Sequence, residues 1–286
     1  MSYKMHDQTI SKTKFITKTI SYILLIIGSL IMAVPFIWLI RSSLMEPKQI
    51  FTFPPEWIPK PFVWSNYKNA LKAAPFLTYL KNTMFIVVFV MGGTLLTSAL
   101  SAYSFARFNW PGKKLMFYLL LSTMMLPYAV TLIPNFVLWH WLGFINTPIP
   151  LIVPAWFGGG AFNIFLLRQF FMTIPKELDE AALIDGANYF QIFFLILLPL
   201  MKPALAVVAI FTFMGTWNDF LGPLIYLSDS NKYTLAIGLA QFKGNYASQW
   251  NYLMAASTVV ILPIIVLFFV CQKYFVQGIT LTGMKD

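Results

Sequence analysis

Few residues in this 286-residue chain are suited to covalent chemistry. The Gly-Lys pair nearest to a phosphate-binding loop, Gly112-Lys113, has Arg107 where G-x-x-x-x-G-K-[ST] requires its first glycine, so the backbone cradle for a nucleotide is not formed there. No H-E-x-x-H or G-x-S-x-G run occurs, and the two histidines, His6 and His140, fall in distant parts of the chain. The single cysteine, Cys271, lies in an apolar run and leaves neither a disulfide framework nor a cysteine-based metal site within the chain. Hydrolysis by this chain, of nucleotide or peptide, is therefore poorly supported, and attention passes to clusters that suit binding.

The densest cluster is Ile174 to Pro203, IPKELDEAALIDGANYFQIFFLILLPLMKP. Pro175 suits the first turn of a helix, and Glu177, Asp179 and Glu180 set negative charge near its positive end. Leu178, Ala181, Ala182 and Asp185 recur at helical spacing, the two alanines offering a shallow face to another protein surface, and Gly186 supplies the left-handed residue that ends a helix. On physical grounds alone this reads either as a recognition helix or as a cap on a helix bundle. Trp217, Asn218 and Asp219 close a long apolar run; an acid beside a membrane pathway is a candidate for its lining or gate, while the same residues also suit a belt tryptophan and a hydrogen-bonding group at a helix end. A third cluster, Gln241 to Tyr252 (QFKGNYASQWNY), mixes Gly244, Asn245 and Ser248, which favour an exposed turn, with Tyr246, Trp250 and Tyr252, which are costly to leave in water unless they meet a partner. Gln249 belongs to the same loop.

The elements that hold these clusters are membrane helices. The chain is 58% apolar and 10% charged, where a soluble domain carries about 25% charged residues. Six runs are long enough to cross a bilayer: 20–40, 83–105, 115–134, 149–167, 195–215 and 253–272. From Leu115 to Leu167 there is no Lys, Arg, Asp or Glu, and one helix of those 53 residues would be about 80 Å long, against a hydrocarbon core of about 30 Å. The run must turn back, and Gly143, Asn146, Pro148 and Pro150 mark where, with Pro127 and Pro134 disturbing its first half. Gly158-Gly159-Gly160 in the fourth run is expected to allow close helix contact or a local break. The apolar run from Ile20 continues to Trp38 without a small-residue cleavage site, so it is kept as a first span.

Net charge is +10, but Lys and Arg are spread over short segments between the apolar runs and not gathered in one stripe, which disfavours nucleic acid as a partner. They set topology instead. With residues 1–19, 106–114, 168–194 and 273–286 inside, the inner segments hold 11 basic residues in 69 positions and the outer ones 8 in 93, so both termini are expected in the cytoplasm. The longest outer loop, Arg41 to Asn82, carries Pro47, Pro54, Pro55, Pro59 and Pro61 with Trp57 and Trp64, and is expected to be a firm surface.

Glu180-Ala181-Ala182, three residues, Gly186, nine residues, Ile196, one residue, Leu198 and Pro199 match E-A-A-x3-G-x9-I-x-L-P at every position, and in this the chain resembles permease subunits of ATP-binding-cassette importers. The likeness extends over most of the chain and is nearest to the second permease of maltose-type transporters: Ala102 to Phe108 followed by Pro111-Gly112-Lys113-Lys114, then Trp217 to Phe220, Tyr233 to Gly238 and the tail Gly278 to Lys285. The tail departs from the usual pattern in ending on Asp286, where a glycine follows the lysine in the family.

The resemblance implies an all-α, type I importer permease: one transmembrane domain over 1–286, with a core from about 80 to 275, an N-terminal helix at 20–40 and a cytoplasmic coupling segment at 174–194. It implies passage of a sugar or oligosaccharide across a bacterial cytoplasmic membrane, beside a second homologous permease, two ATP-binding subunits and an extracytoplasmic sugar-binding protein. ATP and Mg belong to the ATP-binding partner; no cofactor or enzyme activity is expected of this chain. Glu180, Ala181, Ala182, Asp185 and Gly186 are implied to dock into the ATPase subunit, and Gly244, Asn245, Tyr246 and Gln249 to reach into the docked binding protein. The alternatives are the same architecture serving another solute, or an ATPase-independent secondary transporter, which the lack of a visible inverted repeat and the complete signature disfavour.

Overall fold

The structure, a computed structural model, describes the backbone of residues 2–245 and 249–283 and the side chains of residues 15, 17–242 and 249–272. Among these residues every regular element is helical. The first half comprises α1 (Ser2–Ser43), a single turn at Pro47–Ile50, α2 (Ser65–Ala73), α3 (Phe76–Arg107), α4 (Lys113–Ser122) and α5 (Tyr128–Trp141). After a turn at Ile149–Ile152 come α6 (Ala161–Thr173), α7 (Glu177–Ile184), a bent stretch over residues 189–200, α8 (Lys202–Trp217), α9 (Leu221–Tyr226), α10 (Leu235–Asn245) and α11 (Trp250–Gly283).

Among the described residues, four stretches are long and apolar enough to cross a membrane: Thr17–Ser43, Phe76–Arg107, Ile149–Thr173 and Trp250–Gln272. The third and fifth expected spans fall on bent pairs, Lys113–Met125 with Tyr128–Trp141 at 101° and Tyr189–Leu200 with Lys202–Trp217 at 79°. Prolines account for both bends. Pro127 stands at the N-terminal boundary of α5, where its missing N–H interrupts the ladder after a tight turn at Thr123–Met125. Pro199 and Pro203 flank Met201, and a π-helical stretch at Ile192–Leu197 leads into the same break. Pro134, by contrast, is carried inside α5.

The chain turns after α5 where the turn formers cluster, at the place expected for the reversal between the third and fourth apolar runs. Gly143 and Asn146 take positive φ (74° and 61°), and Asn146 ties the turn to the segment after α9: its N–H donates to Tyr226 O at 2.7 Å, while its Oδ1 accepts from the N–H groups of Ser228 and Asp229. The triple glycine breaks the fourth span just before α6, all three residues having positive φ. It also permits close approach, since a Cβ on Gly159 would stand 2.6 Å from the carbonyl oxygen of Thr94 in α3.

The chain forms two compact units, Met1–Ala70 with Phe242–Val259 and Leu71–Gln241 with Val260–Asp286. In the first, the apolar window of α1 has none of its residues buried within the chain, and the loop after it is held by polar contacts. Buried Asn66 donates from Nδ2 to the carbonyls of Ser43 and Met45, both at 2.9 Å, and accepts from Asn251 at 2.9 Å. Arg41 stacks on Trp38 at 4.1 Å and donates to Glu56 O. In the second unit α3 is the central helix, packed against α6 and α8 around Ala99, Ala102, Tyr103, Leu167, Phe171 and Phe193.

Candidate functional site

The acidic segment forms α7, two residues shorter at its start than a helix with Pro175 at its first position would be. Pro175 lies outside the helix, because Lys176 takes the N-terminal boundary position, its carbonyl accepting from Asp179 N–H and Glu180 N–H at 2.9 and 3.1 Å. At the other end Gly186 has φ +84°, Gly186 N–H donates to Leu183 O at 3.1 Å and Ala187 N–H reaches back to Ala182 O at 2.9 Å. This paired arrangement satisfies the last carbonyls, so the helix stops sharply.

The two alanines do not share a face, which corrects the expectation of a shallow double-alanine surface. Consecutive helix residues differ by about 100° in direction; Ala182 is turned into the core, 7% exposed, and Ala181 faces out with Glu180, Ile184 and Asp185. Ile184 is 86% exposed and was not singled out by the sequence, although its place one turn after Ala181 gave the signal.

α7 is fixed to the end of α3. Arg107 pairs with Asp179 at 2.8 Å and donates from Nη2 to Ile174 O at 2.9 Å, so one guanidinium holds both the helix and the strand of chain entering it. Burial pushes the Asp179 carboxyl above its ordinary range, and the attraction of Arg107 only partly offsets this. Beneath the pair Tyr103 packs edge-on against Phe108 and tilted against Phe171 and Phe193, with ring centroids 5.1 to 5.7 Å apart, and Arg168 lies over Phe117 at 4.3 Å. The segment from Ala102 to Phe108 is thus the socket on which the Ile174 to Pro203 segment is mounted.

At the far end of α8, Trp217 is buried at 2% exposure, stacked on Phe213 at 5.3 Å, with its Nε1 donating to Val260 O at 3.3 Å, so it is an internal anchor and not a belt residue. Asn218 is exposed and bonds back to Met214 O. Asp219 caps α9, Oδ1 accepting from Gly222 N–H at 3.0 Å. The structure therefore places these three residues in sequence around a helix end, each with a different environment.

In the third cluster the backbone of Gly244 and Asn245 belongs to the last turn of α10 and not to a loop. Glycine and asparagine are at home where a helix ends. Tyr246 and Ser248 lie outside the described residues, as does the tail from Met284. Gln249 precedes α11, its carbonyl accepting from Tyr252 N–H and Leu253 N–H. Trp250 and Tyr252 have intrachain partners, Phe51 edge-on at 5.9 Å and Asn69 Nδ2 at 3.3 Å.

Comparison with known proteins agrees with this geometry. The chain is 34% identical over 256 residues to a diacetylchitobiose uptake system permease protein of Streptomyces coelicolor, covering 89% of this chain and 84% of that one. It is 33% identical over 267 residues to an sn-glycerol-3-phosphate transport system permease protein of Pectobacterium atrosepticum, covering 91% and 94%. Among solved structures, a bacterial ABC transporter involved in the import of the acidic polysaccharide alginate superposes with a TM-score of 0.80 at 25% identity, covering 91% of this chain and 96% of that one. A family profile described as "Binding-protein-dependent transport system inner membrane component" matches residues 93–281. That match takes in α7 and its socket together, and the chain belongs to this family of multi-pass permease components of the cytoplasmic membrane.

Proposed function

We propose that this chain is one of two homologous permeases in an ATP-driven importer of a sugar or short oligosaccharide, standing on two ATP-binding subunits and receiving its cargo from an extracytoplasmic binding protein. The observation that carries this reading is α7, a sharply capped helix whose outer face joins the acids Glu180 and Asp185 to a bare isoleucine, Ile184. An exposed large apolar side chain rimmed by charge is the surface of a docking element. Glu180, Ala181, Asp185 and Gly186 are assigned to the contact with the ATPase subunit, with Ala182 as the residue that seats the helix. ATP and Mg are used in that partner, and this chain passes on its closure as movement of the permease pair.

Six spans with both termini in the cytoplasm fit this role, since α7 must then face the ATPase. Trp217, Asn218 and Asp219 belong to the outer end of the pathway in the same frame. The loop from Gly244 to Gln249 faces the binding protein, where it competes with the sugar for the opened site. Binding-protein dependence, as the family description has it, leaves no ground for an ATPase-independent secondary transporter.

Reversing charge on the outer face tests the assignment. Glu180→Lys is expected to reach the membrane at wild-type abundance, to retain the permease pair, and to lose uptake together with stimulation of ATP hydrolysis by loaded binding protein. Normal uptake by this variant would show α7 to be a cap on the bundle only.

A further inference from the structure

A cleft in the second unit has the make-up of a ligand site. It encloses about 510 Å³ between α5, the broken fourth span and the segment around α9, within the range of about 300–1,000 Å³ typical of small-molecule sites. Tyr128 and Trp139 of α5, Phe157 before the triple glycine and Tyr226 of α9 give it aromatic walls. Asn135 of α5 and Asp219 supply its polar groups.

Both polar groups have hydrogen-bonding capacity to spare. Asn135 is part-buried, lines the cleft and makes no side-chain hydrogen bond among the described residues, so its amide is open to a ligand there. It lies seven residues after Tyr128 and four before Trp139, so helical spacing puts all three on one face. Asp219 commits Oδ1 to Gly222 and also borders a second, smaller cavity of about 150 Å³ shared with Thr83, Thr216 and Thr234. The buried hydroxyl of Thr234 there has no hydrogen-bond partner in the structure. No Lys, Arg or His lines either cavity among the described residues.

These features select one chemical class. Aromatic faces carry partial negative charge and receive the C–H face of a sugar ring, while an amide and a carboxylate take its hydroxyls as donor and acceptor. A phosphate or uronate would meet Asp219 in an apolar surround with no cation to offset the repulsion. We infer that this chain itself contacts the cargo in the cleft formed by Asn135, Asp219 and the four aromatic residues, and that the cargo is an uncharged oligosaccharide and neither a sugar phosphate nor an acidic saccharide. This rests on the importer reading above.

The test uses cells expressing the whole importer with its binding protein. Radiolabelled neutral di- to tetrasaccharides of glucose, xylose, arabinose and N-acetylglucosamine are compared with glycerol 3-phosphate and a trimannuronate. Uptake of at least one neutral saccharide and of neither anion is expected. For that saccharide, Asn135→Leu at equal membrane abundance should lower uptake below saturation by about tenfold, the scale of one lost hydrogen bond, and Asn135→Gln should restore most of it. Asp219→Asn, which keeps the oxygen that caps α9, should let the anions compete where they do not in the wild type. Uptake of an anion by the wild type, uptake of no neutral saccharide, or wild-type uptake by Asn135→Leu would overturn the inference. Stimulation of ATP hydrolysis in the wild-type complex by saccharide-loaded binding protein reports on the importer reading separately; its absence would overturn that reading and the cleft's role with it.

Discussion

Arg107 is the residue on which the mounting of α7 turns. It is almost fully buried, and the carboxylate facing it is also largely withdrawn from water. Removing one partner of such a pair leaves the other charged without compensation, which is worse than removing both. Arg107→Leu is expected to destabilise the solubilised complex by about 2 kcal/mol, discounted from the fully buried case because Asp179 keeps some solvent. Arg107→Leu with Asp179→Leu should recover part of that loss, as read by thermal unfolding in detergent. The pH dependence has a definite sign. The carboxyl of Asp179 is raised when folded, so its contribution is fully present below the ordinary value of 3.8 and is lost as pH climbs through the raised value. Mild acid neutralises this carboxyl and relieves its burial, so it should not destabilise the fold at this point, and Asp179→Asn should flatten the trend.

Two glycines with positive φ separate strain from crowding. Gly112 has open space around it, whereas a Cβ on Gly159 meets the backbone of α3. Gly112→Ala should cost about 1–2 kcal/mol, the left-handed penalty alone, and Gly159→Ala about 3 kcal/mol or more, because backbone on both sides must move. Comparative thermal shifts of the two variants decide it. The sequence offered close contact or a break for Gly158 to Gly160 and placed Gly112 only within the family-like Pro111 to Lys114 stretch; packing is what separates strain at one from crowding at the other. In the same way the signature named Ala181 and Ala182 together, while the direction of each side chain depends on which face of α7 the core claims.

Among the elements, α7 was legible nearly residue by residue, since its acids, its spacing and its closing glycine are local signals that no tertiary contact overrides. Its start lies two residues later because Lys176 and not Pro175 stands at the boundary, a choice between neighbours that composition does not settle. The bends at Pro127 and Met201 were less legible. Proline announces an interruption, but the angle depends on what the two halves pack against. At this scale the prediction concerns the docking face: Ile184→Asp changes no packing within the chain, as the side chain is already bare, so thermal stability of the solubilised chain should stay within about 0.5 kcal/mol of wild type. Affinity for the ATPase subunit, measured by co-purification at graded salt, should fall by at least tenfold. An unchanged affinity would remove Ile184 from the interface.

For the whole molecule, class was readable from hydropathy, and family from one spaced motif in the segment between two apolar runs. The division into two compact units was not readable, because it is made by contacts far apart in sequence, such as Asn66 with Asn251. The aromatic cleft is of the same kind: its walls come from three separate segments, of which the sequence marked only the one that carries Asp219 as a pathway candidate. Topology remains the sharpest test at this scale. In a variant lacking Cys271, a single cysteine at exposed Asn188 should react with an impermeant thiol reagent only from the cytoplasmic side, and one at exposed Ser230 only from outside. Labelling of Asn188 in intact cells would reverse the assignment.

The bareness of α1 bears on how the protein is made. Its window has a mean hydropathy of 2.7 with none of it buried within the chain, against 1.6 for Ile149–Thr173 and 2.0, with 44% buried, for α3. Partition of α1 into lipid is decided by its own side chains, so it can leave the translocation machinery while the rest of the chain is still being synthesised. The fourth span is weaker in apolar character and broken by three glycines, one of which sits directly against α3. Its seating, unlike that of α1, is completed against α3 at Gly159, and the order of synthesis, α3 before α6, puts that surface in place first.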